Sequence, residues 1–119
     1  YSNHRNRVGL DRARLNTLNQ DVANKQAKNL LKTNIQRAIA DARAAKESYE
    51  AAQLSEEAAD AAYENAKRRY DLGAINSLEF TTASNNLNQA KVTLIQAKYQ
   101  YLFNLKVVDF YMGKTIEIN

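Results

Sequence analysis

A regular spacing of small and apolar residues constrains the fold of this chain more than any other feature. The steps between them alternate between four and three, which is the 3.5-residue repeat of a coiled coil. The first such stripe consists of Leu31, Ile35, Ala38, Ala42, Ala45, Tyr49, Ala52, Glu56, Ala59, Tyr63, Ala66 and Tyr70. The second consists of Phe80, Ala83, Leu87, Ala90, Leu94, Ala97, Tyr101, Leu105 and Val108. Only Glu56 interrupts the pattern, so the sequence predicts two long helices that pack through these stripes.

The segment between the two stripes carries signals for ending one helix and starting another. Gly73 suits the left-handed backbone conformation that often follows the last turn of a helix. Asn76 can cap the next helix, and Glu79, three residues later, can complete a capping box. Residues 72–76 are therefore predicted to form a turn at the tip of a helical hairpin.

Local signals also predict where the second helix stops. Gly113 offers a C-cap, and residues 115–118 change to an alternating pattern. The predicted fold is all-α, a long antiparallel coiled-coil hairpin with unequal arms. It forms a single fragment that comprises helix 5–71, tip turn 72–76, returning helix 77–112 and tail 113–119.

Folding the second helix back on the first pairs positions whose residue numbers sum to about 148. Twelve of the 29 residues from 38 to 66 are alanine, and small side chains allow helix axes to approach closely. This register places Leu94 near Leu54. Four tyrosines at helical spacing are predicted to lie in the core: Tyr49, Tyr63, Tyr99 and Tyr101. Of these, Tyr99 and Tyr101 are expected to lie near Tyr49.

The composition excludes several classes of function. The chain has no cysteine and one histidine, which leaves no thiolate or multi-histidine metal site and no cysteine nucleophile. It has no glycine-rich phosphate loop and no nucleophile–histidine–acid set. No uncharged apolar run approaches the roughly 20 residues that a membrane-spanning helix needs. We therefore expect no catalytic residues, no cofactor and no bound metal.

Charge is unevenly distributed along the chain. Residues 1–46 have a net charge of +7, and residues 47–71 have a net charge of −4. A basic stretch can attract nucleic acid or anionic lipid. On so long a helix a solvated face is the favoured interpretation, and we expect no nucleic acid partner.

The residues around the turn resemble a specific family. They are Tyr70-Asp71-Leu72-Gly73-Ala74-Ile75-Asn76-Ser77-Leu78-Glu79, followed by Leu87-x-x-Ala90-x-x-x-Leu94-x-x-Ala97-x-Tyr99-x-Tyr101-Leu102 and Gly113. This pattern resembles the C-terminal repeat of the TolC family of outer-membrane efflux channels from Gram-negative bacteria. The resemblance implies one half of the periplasmic portion of a homotrimeric α-barrel tunnel. Its implied partners are a periplasmic adaptor protein and an inner-membrane transporter.

The resemblance also implies roles for individual residues. The exposed tip that would contact the adaptor consists of Leu72, Gly73, Ala74, Asn76 and Ser77. Tyr70 and Glu79 match positions at the constriction of the pore, although packing alone explains Tyr70 and capping alone explains Glu79. At two further positions, where the family can carry charged residues, this chain has Thr82 and Ile75.

Two alternatives remain open from the sequence: a free-standing coiled-coil scaffold or interaction module, and a basic helix that binds nucleic acid. Unequal arms favour the channel, because residues 5–36 have an apolar seam and no returning helix opposite them. We expect the isolated chain to self-associate through residues 5–36, with the tips pointing outward.

Overall fold

A computed structural model describes residues 2–117 of the chain, with side chains for residues 2–113. It contains two helices, α1 from Ser2–Asp71 and α2 from Ser77–Glu117, joined by a short turn. Within the described residues there is no strand. The prediction of an all-α coiled-coil hairpin is confirmed. The chain divides into two units, one up to Arg37 and one from Ala38 onward.

The helix ends differ from those expected from the sequence. Helix α1 begins at Ser2 instead of residue 5, and α2 continues through Gly113 to Glu117 instead of ending at residue 112. The backbone of Gly113 has no positive φ angle, so it does not form a left-handed cap. A glycine inside a helix costs only about 1 kcal/mol relative to alanine, which a long helix can tolerate. Of the predicted tail, residues 118–119 lie outside the described residues.

The core of the unit that starts at Ala38 is built mainly from alanine. Its buried residues all belong to the two stripes, and each is only 5–8% exposed: Ala38, Ala42, Ala45, Ala52 and Leu87. Other stripe residues, among them Ala59, Ala83 and Ala90, are partly buried. The two stripes therefore face each other, as the spacing predicts. Because alanine is small, the two helix backbones can pack closely along this seam.

Two aromatic contacts establish the register of the hairpin. The ring centroids of Tyr49 and Tyr101 lie 6.1 Å apart, and those of Tyr70 and Phe80 lie 4.9 Å apart. Both pairs of residue numbers sum to 150, whereas those of a third contact, Tyr63 with Phe80, sum to 143, so the register lies close to the predicted 148. The prediction for Tyr101 is confirmed, but the one for Tyr99 is wrong, because its side chain is 65% exposed.

The exposure of Tyr99 follows from helix geometry. Each residue turns the helix by about 100°, so a position two residues from both Ala97 and Tyr101 faces almost directly away from them. Leu54 is exposed on α1 as well, so it does not pack against Leu94 in the seam between the helices. Large apolar residues therefore lie on the outer faces of both helices.

The unit up to Arg37 consists of the first half of α1. Every described residue from Ser2 to Leu30 is exposed, and the large apolar residues of this segment are Val8, Leu10, Leu15, Leu18, Val22 and Leu30. The part of the predicted apolar seam that ends at Leu30 is therefore exposed, whereas Leu31 and Ile35 are partly buried. Neither helix, as far as residues 2–117 extend, contains a segment long and apolar enough to cross a membrane.

Candidate partner-binding site at the helix turn

The end of α1 is closed by a hydrogen-bonded motif around a left-handed glycine. Gly73 has a φ angle of +74°. Its N–H donates to the carbonyl oxygen of Tyr70 at 2.9 Å, and the N–H of Ala74 donates to the carbonyl oxygen of Arg69 at 2.8 Å. These two bonds form a Schellman motif, which satisfies carbonyl groups that the last turn of a helix otherwise leaves unpaired. The predicted conformation of Gly73 is confirmed.

Replacing Gly73 with alanine is expected to lower the free energy of unfolding by about 1 kcal/mol, because a side chain disfavours the left-handed conformation. A Cβ atom at this position would meet nothing within 4 Å, so backbone strain is the only cost. Urea titration followed by circular dichroism measures the change. Gly113→Ala is the matched control, since Gly113 is helical and equally open, and it should not destabilise the chain. Equal losses from the two variants would contradict the assigned role of Gly73.

The start of α2 is capped by Asn76. The Asn76 Oδ1 atom accepts a hydrogen bond from the backbone N–H of Glu79 at 2.9 Å, and the Asn76 carbonyl oxygen accepts one from Phe80 at 3.2 Å. This is the geometry of a helix N-cap. Glu79 is the acidic residue in the first turn of α2, where a negative charge interacts favourably with the helix dipole. The two helix ends are therefore fixed independently on either side of the turn.

An aromatic cluster holds α1 against α2 next to the turn. The Phe80 ring stacks on the Tyr70 ring at 4.9 Å and 12°, and it also contacts the Tyr63 ring at 5.8 Å. Aromatic pairs at such distances add about 0.5–1.5 kcal/mol beyond their buried area. Tyr70 thus packs within its own chain, while 42% of its side chain stays exposed. Sequence reasoning placed Phe80 in the core stripe but missed its contact with both tyrosines.

The surface of the turn combines a rigid backbone with exposed apolar side chains. All five residues predicted to form the tip contact are exposed and lie within six consecutive positions, 72–77. Leu72 is 83% exposed, and Leu78, at the start of α2, is 72% exposed. Two large leucines are thus exposed to water on either side of the capped turn. Leu78 was not among the predicted tip residues, although its position two residues before Phe80 in the stripe indicates an outward orientation.

Several charged side chains flank the turn. Arg68, Arg69, Asp71 and Glu79 are exposed charged residues near it. In the part of the chain that the structure describes, no three acidic or histidine side chains gather closely enough to hold a metal ion. The features of the turn are two exposed leucines, Leu72 and Leu78, and a backbone fixed by hydrogen bonds.

A family model described as outer membrane efflux protein matches residues 1–114, which include α1, the turn and most of α2. The chain belongs to the outer membrane efflux protein family. No curated protein and no solved structure matches it significantly. The family match confirms the resemblance to the TolC family. It identifies the chain as a component of an outer-membrane efflux channel, and this family consists of channel and transport proteins rather than enzymes.

Proposed function

We propose that this chain is the periplasmic helical hairpin of a homotrimeric outer-membrane efflux channel in a Gram-negative bacterium. The channel would export its substrates together with a periplasmic adaptor protein and an inner-membrane transporter, and the hairpin itself would have no enzymatic activity. The observation that carries the proposal is the family match over residues 1–114, which spans both helices and the turn between them.

The surface of helix α2 favours a role in a channel wall over a role as a free-standing scaffold, because α2 is apolar on two opposite sides. One side packs on α1 through the buried stripe. The other side exposes large apolar residues, among them Val92, Ile95, Tyr99, Leu102 and Phe103. A helix that packs on one neighbour needs a single apolar face. Two opposite apolar faces suit a helix with a neighbour on each side, as in the wall of a tunnel.

The tip is proposed as the contact for the adaptor protein, through Leu72, Gly73, Ala74, Asn76 and Ser77. The Schellman motif and the N-cap fix the backbone of this segment before any partner arrives. A preformed surface loses less conformational entropy on binding than a flexible loop does. Leu72 would supply the apolar anchor of the contact.

Glu79 and Tyr70 are proposed to contribute to a constriction of the pore at the same end. The Glu79 side chain is exposed in the single chain, so it is available to face a pore once three copies assemble. A ring of three carboxylates would favour cations and repel anions. Tyr70 packs on Phe80 and keeps 42% of its side chain exposed, which leaves surface for a neighbouring chain.

The first half of α1 also supports membership of a larger assembly. Its apolar residues as far as Leu30, including Leu15, Leu18 and Val22, are all exposed. Other helices of the channel would cover this seam. In the isolated chain, a second copy would cover it instead, by self-association through residues 5–36 with the tips pointing outward.

Efflux in cells tests the proposal at two levels. Deleting the gene should raise the intracellular level of dyes or toxic compounds, and restoring it should reverse this; unchanged accumulation would overturn the channel function.

Leu72→Asp should abolish the rescue, because losing an apolar anchor weakens an interface by about 2 kcal/mol or more, roughly thirtyfold in affinity. The control is Gln53→Asp, an exposed position halfway along the hairpin, which should rescue fully. Equal rescue by both variants would overturn the tip contact alone.

A further inference from the structure

The first turns of α1 carry a narrow apolar strip. We call Val8, Leu15, Leu18 and Val22 the N-terminal strip; their side chains are 43–59% exposed. Because each residue turns the helix by about 100°, these four fall within a sector about 80° wide. One side of the helix is therefore apolar from residue 8 to residue 22.

Arginines border the N-terminal strip on both sides. Arg5 and Arg12, seven residues apart, form a row along one edge, and Arg7 and Arg14 form a row along the other. Each row lies about 80° around the helix from the centre of the strip. All four are exposed, and they are the only basic residues before residue 25 apart from His4. The side of the helix opposite the strip is uncharged at this level, with Asn6, Ala13 and Gln20.

Asp11 is the one acidic residue among residues 2–20. By the same geometry it lies among the residues of the strip. Arg7 precedes it by four residues and Arg14 follows it by three, and opposite charges at these spacings attract each other on a helix. Counting Asp11, residues 2–20 keep a net charge of +3.

The charges distinguish between the possible partners of this surface. A second copy would cover the strip, but residues 5–36 contain seven basic residues against two acidic ones, and like charges across an interface cost binding energy. A nucleic acid would neutralise the arginines and leave the strip in water. An anionic bilayer satisfies both features: its phosphates accept paired N–H groups from guanidinium, and its acyl boundary takes up apolar side chains.

We propose that the N-terminal strip and its two arginine rows bind the surface of an anionic phospholipid bilayer, with this part of α1 lying against the headgroups. The arginine stems lie along the apolar boundary while the charged ends reach the phosphates. The contact requires only a single chain, so it goes beyond the proposed channel function and does not rest on it. A bilayer and a second copy compete for the strip, so vesicles should dissociate the self-associated chain.

Co-sedimentation with lipid vesicles measures the binding. The full chain should bind vesicles of equal parts phosphatidylglycerol and phosphatidylcholine at least about ten times more tightly than phosphatidylcholine alone. Replacing all four arginines of the two rows with glutamine should weaken binding at least about fiftyfold, because each basic residue at an anionic surface contributes about fivefold. Equal binding to the two kinds of vesicle would overturn the proposal.

The matched control removes four arginines elsewhere, so that the net charge changes by the same amount. These positions are all exposed, and each is replaced by glutamine: Arg37, Arg43, Arg68 and Arg69. This variant should lose less than about threefold in affinity, since its substitutions lie away from the strip. Circular dichroism verifies that both variants are still helical. Similar losses in the two variants would mean that net charge alone, and not this surface, attracts the chain to the vesicles.

A fluorescent reporter tests whether the strip itself enters the bilayer. The chain has no tryptophan, so Leu15→Trp introduces a single one in the strip. Its emission maximum should move to shorter wavelengths when anionic vesicles are added. Ala13→Trp is the control, because Ala13 is exposed on the opposite side of the helix and should show no shift. Equal shifts, no shift at either position, or tighter binding to duplex DNA than to vesicles would overturn the proposal.

Discussion

Leu87→Ala is expected to lower the free energy of unfolding by about 3 kcal/mol, from the usual range of 2–5 kcal/mol for a buried leucine. Leu87 is 6% exposed, and every other buried residue of the described chain is an alanine. Among the described residues it is therefore the one large apolar side chain that the seam buries almost completely. Urea titration followed by circular dichroism measures the loss.

The matched control for this change is Leu78→Ala. Leu78 belongs to the same helix and undergoes the same chemical change, but it is 72% exposed. Exposed substitutions of this kind usually stay within about 0.5 kcal/mol. Comparable losses at the two positions would mean that Leu87 does not lie in the seam between the helices.

A seam made of alanine affects how stability is distributed along the hairpin. An alanine removes little apolar surface from water, so burying it stabilises the fold only slightly. The larger contributions come from Leu87 and from partly buried rings such as those of Tyr49, Phe80 and Tyr101. The aromatic cluster beside the turn and the caps on either side of it thus hold together the end where a partner is proposed to bind.

The sequence predicts the two helices and the turn well because those signals are local or periodic. The 3.5-residue spacing identifies the seam that buries Ala52 and Leu87. Gly73 and Asn76 have conformational and hydrogen-bonding preferences that need no knowledge of the rest of the fold. These two residues are enough to predict the turn from the sequence.

Other features escape prediction for physical reasons. The stripe spacing assigns Tyr101 to the side that faces α1, but Tyr99 was also expected in the core because α2 carries large apolar residues on its opposite side as well. The end of α2 is missed because one glycine is a weak stop signal against a helix that can continue. The roles of Leu72 and Glu79 depend on molecules outside this chain, and no pattern within one chain determines them.

Ala52→Leu is expected to destabilise the hairpin by about 2 kcal/mol, within the 1–3 kcal/mol typical of overpacking. Ala52 is 6% exposed, and by the register of the hairpin it is level with position 98, between Ala97 and Tyr101. Three additional carbon atoms cannot fit there unless the helices move apart. That movement would also disturb the nearby contact between the Tyr49 and Tyr101 rings, so both the urea midpoint and the near-ultraviolet circular dichroism signal of the tyrosines should change.

Ala61→Leu serves as the control, because Ala61 belongs to the same helix and is exposed. Leucine and alanine have similar helix propensities, so this variant should stay within about 0.5 kcal/mol of the parent. Ala52→Leu adds apolar volume, whereas Leu87→Ala removes it, yet both are expected to destabilise the hairpin. Adding volume and removing volume both lower the free energy of unfolding only when the separation of the two helices already fits the side chains between them. A stabilising Ala52→Leu would mean that the helices have room to spare at this point and that small residues do not set their separation.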